Sequence, residues 1–183
     1  LPNSYNSVEN ITPLETPLSS TINGAALATP VFLSLYVEND LRLDKYFAET
    51  DEKGFRKNKK AGSNNYLCTF RVGEIYLTAA EAAARLGELS QARTRLLELM
   101  RKRYAPEAYE AKSVVVNAMD KEALVQEILD ERARELAFEG HRWFDLRRST
   151  RPRLEKVLDG TRYARYTLAI PKEAIEANPG LLN

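Results

Sequence analysis

Glu127, Glu131, Glu135 and Glu139 recur at intervals of four residues, so on a helix they would lie along one stripe. Such a stripe has two chemical uses. With Glu-x-x-His on two inward-facing helices it could hold a di-iron-type metal pair. Met by guanidinium groups, it becomes the acidic half of an ion network. The metal reading fails on spacing: the residue three after Glu139 is Arg142, His141 follows by two across Gly140, and the chain has 1 His. Left alone, like charges four apart cost a few tenths of a kcal/mol per pair, so cations must meet them. Arg71, Arg142, Arg147 and Arg148 are the candidates, Arg132 and Arg134 can pair locally, and Asp130 is well spaced for Arg134. The reading is an Arg–Glu network that pins this helix to the segment after Gly140.

No other chemistry competes with it. His141 and Asp145 could share a helical face, where one His and one Asp make an orienting hydrogen bond. There is no Gly-rich phosphate loop, no Gly-x-Ser-x-Gly elbow and no zinc signature. No carboxylate pair stands out for glycoside hydrolysis, so no catalytic residue, metal site or cofactor is assigned. Cys68 is alone, which leaves no internal disulfide and no Cys-based metal site. Trp143 and Phe144 are expected to anchor a short helix in the core; a sugar platform at Trp143 is the competing use.

The elements that must position the stripe can be read from periodicity. A helix begins near Arg71, with Ile75, Leu77, Ala79, Ala80, Ala82, Ala83 and Leu86 as its apolar face and Gly87 as its stop. A second helix, capped by Ser90, buries Ala92, Leu96, Leu97 and Met100 and ends at Arg101-Lys102-Arg103. Residues 71–103 therefore form a helical hairpin resembling one tetratricopeptide-like unit, which needs neighbours to bury its faces. Residues 104–119, with Pro106 and Val114-Val115-Val116, suit a surface connection. Asp120 caps a long helix whose apolar positions Leu124, Val125, Ile128, Leu129, Leu136, Ala137 and Phe138 run to Gly140, and a short helix follows from His141. Residues 120–148 thus carry the charged motif.

The flanks are less regular. Residues 1–30 are rich in Pro, Ser, Thr and Asn and predict an irregular, extended segment. Residues 31–36 fit a strand or a short helix, and residues 44–47 a further turn of helix. The basic run at residues 53–60 predicts a solvated loop, with a phosphate site as the minor alternative. Near the C-terminus, residues 166–170 could form a strand, and Pro171 could open a last helical turn.

With 183 residues, 44% hydrophobic and 29% charged, the chain is long enough for one domain with its own core and lacks the apolar run of roughly 18 residues that a spanning helix needs. Net charge is +1, yet the segment from 142 to 165 is basic, which raises a helical adaptor or nucleic-acid-binding module as the alternative function. That segment is better explained as the answer to the Glu stripe, so no nucleic acid is expected. The fold class is mainly α, with long irregular loops.

A family resemblance rests on residues 131–148, ERARELAFEGHRWFDLRR. They fill every fixed position of the E-R-x-x-E-L-x-F-E-G-x-R-W-x-D-L-x-R signature of SusD/RagB-type outer-membrane lipoproteins. Asn39-Asp40-Leu41-Arg42 resembles that family's D-x-R segment, and residues 70–82 resemble its R-x-x-E-x-Y-L-x-x-A-E-A helix. Ile170-Pro171, Ile175, Asn178-Pro179 and Asn183 resemble its close, with Ala174 where the family has Glu. The resemblance covers roughly residues 31 to 183. It implies the C-terminal part of a SusD-like helical domain with four tetratricopeptide-like pairs. It further implies a surface-exposed binding protein that hands oligosaccharides or other nutrients to a SusC-like TonB-dependent transporter without catalysing a reaction. The lipidated Cys and the N-terminal half are expected to precede Leu1, and Cys68 is misplaced to be that anchor. Tyr104 and Tyr109 are the candidate stacking surfaces for sugar rings.

Overall fold

The computed structural model describes residues 9–15, 27–60, 66–149, 156–158, 161–163 and 172–178. The chain divides into two compact units, Leu1–Arg142 and Trp143–Asn183. The fold is mainly helical.

In the first unit, β1 (Asn10–Glu15) pairs antiparallel with β5 (Tyr66–Arg71), and the register shifts on either side of Thr12. The expectation of an irregular start is therefore corrected at residues 10–15, where Pro13 is accommodated at a ladder irregularity. Strand β2 (Leu27–Ala28) leads to α1 (Pro30–Leu33), capped by Thr29 and opened by Pro at its first turn. A second short helix, α2 (Leu43–Tyr46), runs into β3 (Phe47–Thr50), and β4 (Arg56–Asn58) lies between β2 and β3.

Arg71 ends β5 with extended backbone and is the N-cap of α3 (Val72–Leu86). Gly87 takes φ 87°, and its N–H reaches back to the Ala83 and Ala84 carbonyls, ending the helix as expected. Only Glu88 separates it from α4 (Leu89–Met100), so α3 and α4 form the anticipated hairpin, although Glu88 rather than Ser90 is the N-cap. Residues 104–119 are not a surface connection. Pro106 sits at the first turn of a helix, α5 (Pro106–Ala118), which buries Val116 and leaves Val114 and Val115 exposed. The valine run read as β-rich, but only one of the three packs inward. Asp120 then caps α6 (Lys121–Glu135), its carboxylate accepting from the Ala123 N–H at 2.9 Å.

One apolar core joins these four helices: Leu77, Ala80, Ala83 and Ala84 of α3, Ala92, Leu96 and Met100 of α4, Val116 of α5, and Leu124 and Ile128 of α6. Alanine on α3 lets α4 approach closely. Ile75, Ala79, Ala82 and Leu86, expected on the buried face, are exposed instead. A second core is aromatic. Phe47 is fully buried and receives edge-to-face contacts from Phe32, Tyr36, Tyr46 and Phe138 at 5.5–6.3 Å between centroids.

The second unit contains most of α7 (His141–Arg148), the hairpin of β6 (Lys156–Leu158) with β7 (Thr161–Tyr163), and α8 (Lys172–Ala177). Asp145 and Leu146 are the buried residues of α7. Phe144, expected in the core, is 61% exposed; it meets Trp143 edge-on at 4.9 Å, and Arg147 lies over the Trp143 ring at 5.4 Å. The strand considered at residues 166–170 and the opening Pro171 lie outside the described residues.

Candidate functional site

The Glu stripe is the centre of the first unit, but its geometry departs from a single long helix. Helix α6 stops at Glu135, and Phe138 (φ 61°) and Gly140 (φ 86°) turn the chain through left-handed backbone. Glu139 is thus carried by a turn.

What ends the helix is a set of side chains that take its last carbonyls. Tyr36 donates its hydroxyl to the Arg134 carbonyl at 2.8 Å, Lys60 donates Nζ to the carbonyls of Glu135 at 2.6 Å and Ala137 at 3.3 Å, and Arg71 Nη2 also donates to Glu135 O. These are the acceptors a helix C-terminus leaves unpaired, and cations are favoured there by the helix dipole. Lys60 in addition pairs with Glu139 and stands 4.3 Å over the Tyr46 ring. The terminal residue of the basic run is therefore buried, not solvated, and its ammonium is spoken for by protein, not phosphate.

Around Glu131 and Glu135, both fully buried, the cations arrive from four separate segments. Arg42 donates to Glu131 at 2.7 Å, to Glu135 at 3.0 Å and, from Nε and Nη2, to Asp40 at 2.9 and 2.8 Å. Arg71, 1% exposed, pairs with Glu135 and with Glu139 at 2.9 Å. Arg103 bonds Glu135 from Nε at 3.0 Å and Glu9 from Nη2 at 3.0 Å. Arg134 bonds Glu131 at 2.8 Å and Glu127 at 2.6 Å, and Glu127 also takes Lys112 at 3.0 Å. Among the described residues this connected set holds six cations, Arg42, Lys60, Arg71, Arg103, Lys112 and Arg134, and six carboxylates, Glu9, Asp40, Glu127, Glu131, Glu135 and Glu139. The formal charges cancel, as a buried network requires.

The electrostatics follow from that balance. Burial alone would raise the Glu131 carboxyl, but Arg42 and Arg134 outweigh it and hold it down at about 2. Burial opposes ionisation of Glu135 too, yet Arg71, Arg103 and Arg42 keep it well below the usual carboxylate range. Burial lowers the Lys60 ammonium to about 8 against the pull of Glu139. All three carboxylates on the motif's inner side, Glu131, Glu135 and Glu139, are therefore anionic near neutrality, which makes them poor proton donors.

The expected network exists, but its cations come chiefly from upstream. Arg71 is among them, and Arg134 pairs locally as expected, although with Glu131 and Glu127 in place of Asp130, whose carboxylate accepts from Gln126 at 3.0 Å. Arg132 turns to Thr78 at 3.1 Å. Arg148 bonds Asp145 at 2.7 Å within α7 and Arg147 stacks on Trp143, while among the described residues the helix is pinned by residues 42, 60, 71 and 103. His141 faces Glu74 at 3.6 Å. Sequence reasoning missed Arg42 and Asp40 as partners even though their spacing was conspicuous, and it had no signal for Lys60, Arg103 or Glu9.

Tyr104 is no stacking surface. It is 3% exposed, its hydroxyl donates to Glu131 at 3.0 Å and accepts from Arg42 at 3.0 Å, and the Arg42 guanidinium covers its ring at 5.1 Å. Its position is set by the backbone: Asp40 and Tyr104 form a β-bridge, flanked by Leu41 N–H to Arg103 O at 2.9 Å and Ala105 N–H to Asn39 O at 3.0 Å. Tyr109 is half-buried against the helical core. Among the described residues no group of three or more His, Cys, Asp or Glu could hold a metal ion, and no helix is long and apolar enough to cross a membrane. Much of the basic stretch from 142 to 165 lies outside the described residues.

The model of the SusD family matches residues 33–183. Among solved structures, a SusD-like carbohydrate binding protein from Bacteroides vulgatus ATCC 8482 is 25% identical with a TM-score of 0.49; the match covers 64% of this chain and 26% of that one. A search of the curated proteins returns no match.

Proposed function

Because the chain belongs to the SusD family, we propose that it is part of a non-catalytic protein that captures oligosaccharide at the cell surface and hands it to a TonB-dependent outer-membrane transporter. The observation that carries this reading is the family match across residues 33–183, which takes in every residue of the charged network except Glu9. The network supports it by its chemistry. Glu131, Glu135 and Glu139 are held as anions and its carboxylates are paired with guanidinium or ammonium groups, so it serves to hold irregular segments in place and leaves ligand contact to the surface those segments present.

In this reading the described helices are a scaffold, residues 1–183 are the C-terminal portion of a longer SusD-like domain, and Tyr109 is a candidate ring for sugar contact. A lipid anchor on a preceding Cys would hold the protein at the outer face of the membrane. The test is a glycan array probed with the full-length protein, together with affinity capture of the transporter from solubilised outer membranes. Binding to one glycan class with co-capture of a TonB-dependent transporter is expected. An array without a hit and a capture without a transporter would remove the proposal.

A further inference from the structure

Beside the buried network lies a cavity of about 70 Å³, lined by Leu41, Arg42, Lys45, Tyr46, Lys102, Arg103 and Glu9. Leu41 and Arg103 of its lining belong to the tie between residues 39–41 and 103–105, so the same backbone pairing that sets Tyr104 also places two of its walls. Four of its lining residues are cationic and one is acidic. They are not equally committed. Arg42 spends every guanidinium nitrogen on Asp40, Glu131, Glu135 or the Tyr104 hydroxyl. Glu9 is turned to Arg103 at 3.0 Å and faces Arg71 at 3.7 Å.

Lys45 and Lys102 differ. Both are exposed, and among the described residues neither has an ion pair or a side-chain hydrogen bond. Arg103 directs Nε and Nη2 into the network, leaving Nη1 as a further donor among the described residues. Since the network's own charges cancel, the two lysines are a local excess of positive charge in the cavity lining. Leu41, 45% exposed, adds an apolar wall.

Resting on the carbohydrate-capture reading, we infer that this cavity is a subsite for an acidic substituent of the glycan, a carboxylate or sulfate group held by Lys45, Lys102 and Arg103 Nη1. The size supports a substituent over a whole ring: the cavity has room for several waters, but sites that enclose an entire ligand run to roughly 300 Å³ or more. The donor set supports an anion, because two ammonium groups and one guanidinium N–H offer donors only. Glu9 and Arg42 also line the site but are already paired within the network, which leaves the lysines as its adjustable part.

The full-length protein would be titrated calorimetrically with an oligogalacturonate, a sulfated galactan oligosaccharide and an unsulfated galactan oligosaccharide, alongside the Lys45→Ala/Lys102→Ala variant. One of the two acidic probes should bind at least about tenfold tighter than the neutral one, with that advantage falling as salt rises and lost in the variant. The probe that shows the advantage separates a uronate from a sulfate ester. Both lysines are exposed, so the variant should melt with the wild type. Neutral binding with no preference for either acidic probe, or an acidic preference that survives in the variant, overturns the subsite and leaves carbohydrate capture standing. Absence of binding to all three, with no hit on a wider glycan array, overturns both.

Discussion

The two halves of α6 are buried against different partners. Its first half sends Leu124 and Ile128 into an apolar core shared with α3, α4 and α5; its second half sends Glu131 and Glu135 into a cage of guanidinium groups. All four of these side chains are fully excluded from water. The apolar half joins regular helices, which bring large complementary faces and need only matched volume. The charged half joins an extended stretch near Glu9, the turn at residues 40–42, the end of β4 and the N-cap of α3, none of which offers a comparable apolar face. A directional bond fixes such segments where nonspecific burial would let them slide. Ion pairs this deep are not a free gain in stability, because each charge has left water; what they confer here is a single allowed position for each segment.

The largest effect expected from breaking this comparison is at Glu135. Glu135→Ala leaves Arg42, Arg71 and Arg103 facing one another with one carboxylate fewer, a loss of about 3–5 kcal/mol by urea unfolding. The pH dependence should change with it. Glu131 sits at about 2 when folded and Glu135 and Glu139 are also lowered. A depressed folded pKa stabilises fully above the unfolded value, so wild-type stability should hold above about pH 5 and fall as pH drops toward 2. In Glu135→Ala that acid slope should be shallower, measured as unfolding free energy at a series of pH values. An unchanged slope would mean that other carboxylates dominate acid unfolding.

Leu124→Ala probes the other half. It removes a fully buried side chain from the helical core and should cost about 3 kcal/mol, the middle of the usual range. The acid slope should stay that of the wild type, since no titrating group is touched. Equal slopes in Leu124→Ala and Glu135→Ala would erase the distinction between the two halves.

How much of this could be read in advance divides along the same line. Apolar periodicity gave the hairpin of α3 and α4 and the Asp120 cap of α6, because burial between helices repeats every 3 or 4 residues and leaves a pattern. The acidic stripe was legible as well, and with it the need for cations. Their source was not. Arg42, Lys60 and Arg103 meet the stripe across 32 to 93 residues of chain, and no local spacing encodes a contact of that range. The early end of α6 was hidden for a related reason: apolar residues 136–138 continue the helical period, but Lys60 and Arg71 take the carbonyl of Glu135, and Phe138 turns left-handed. The helix at 106–118 was obscured by three valines whose β-propensity yields to a proline at the first turn and one inward-facing position.

Two glycines at opposite ends of α3 give the finest test of the contrast. Gly73 lies in the first turn, where an added Cβ would come within 2.8 Å of Arg71 Nη1 and 2.9 Å of Glu135 Oε1. Those atoms end flexible side chains, but each is clamped by ion pairs, so neither can yield without disturbing the network. Gly73→Ala should therefore cost about 2 kcal/mol, within the range for overpacking, and should shift the acid slope. Gly87 ends the same helix at φ +87° with nothing within 4 Å of its Cβ position. There the cost of Gly87→Ala is backbone alone, about 1 kcal/mol for a left-handed non-glycine residue, with the acid slope unmoved. The ranking is opposite to what backbone conformation by itself would give, since only the smaller effect falls on the left-handed glycine. If Gly87→Ala proves the more damaging, Gly73 has room to accept a methyl group, and the charged half of α6 packs more loosely than its ion pairs imply.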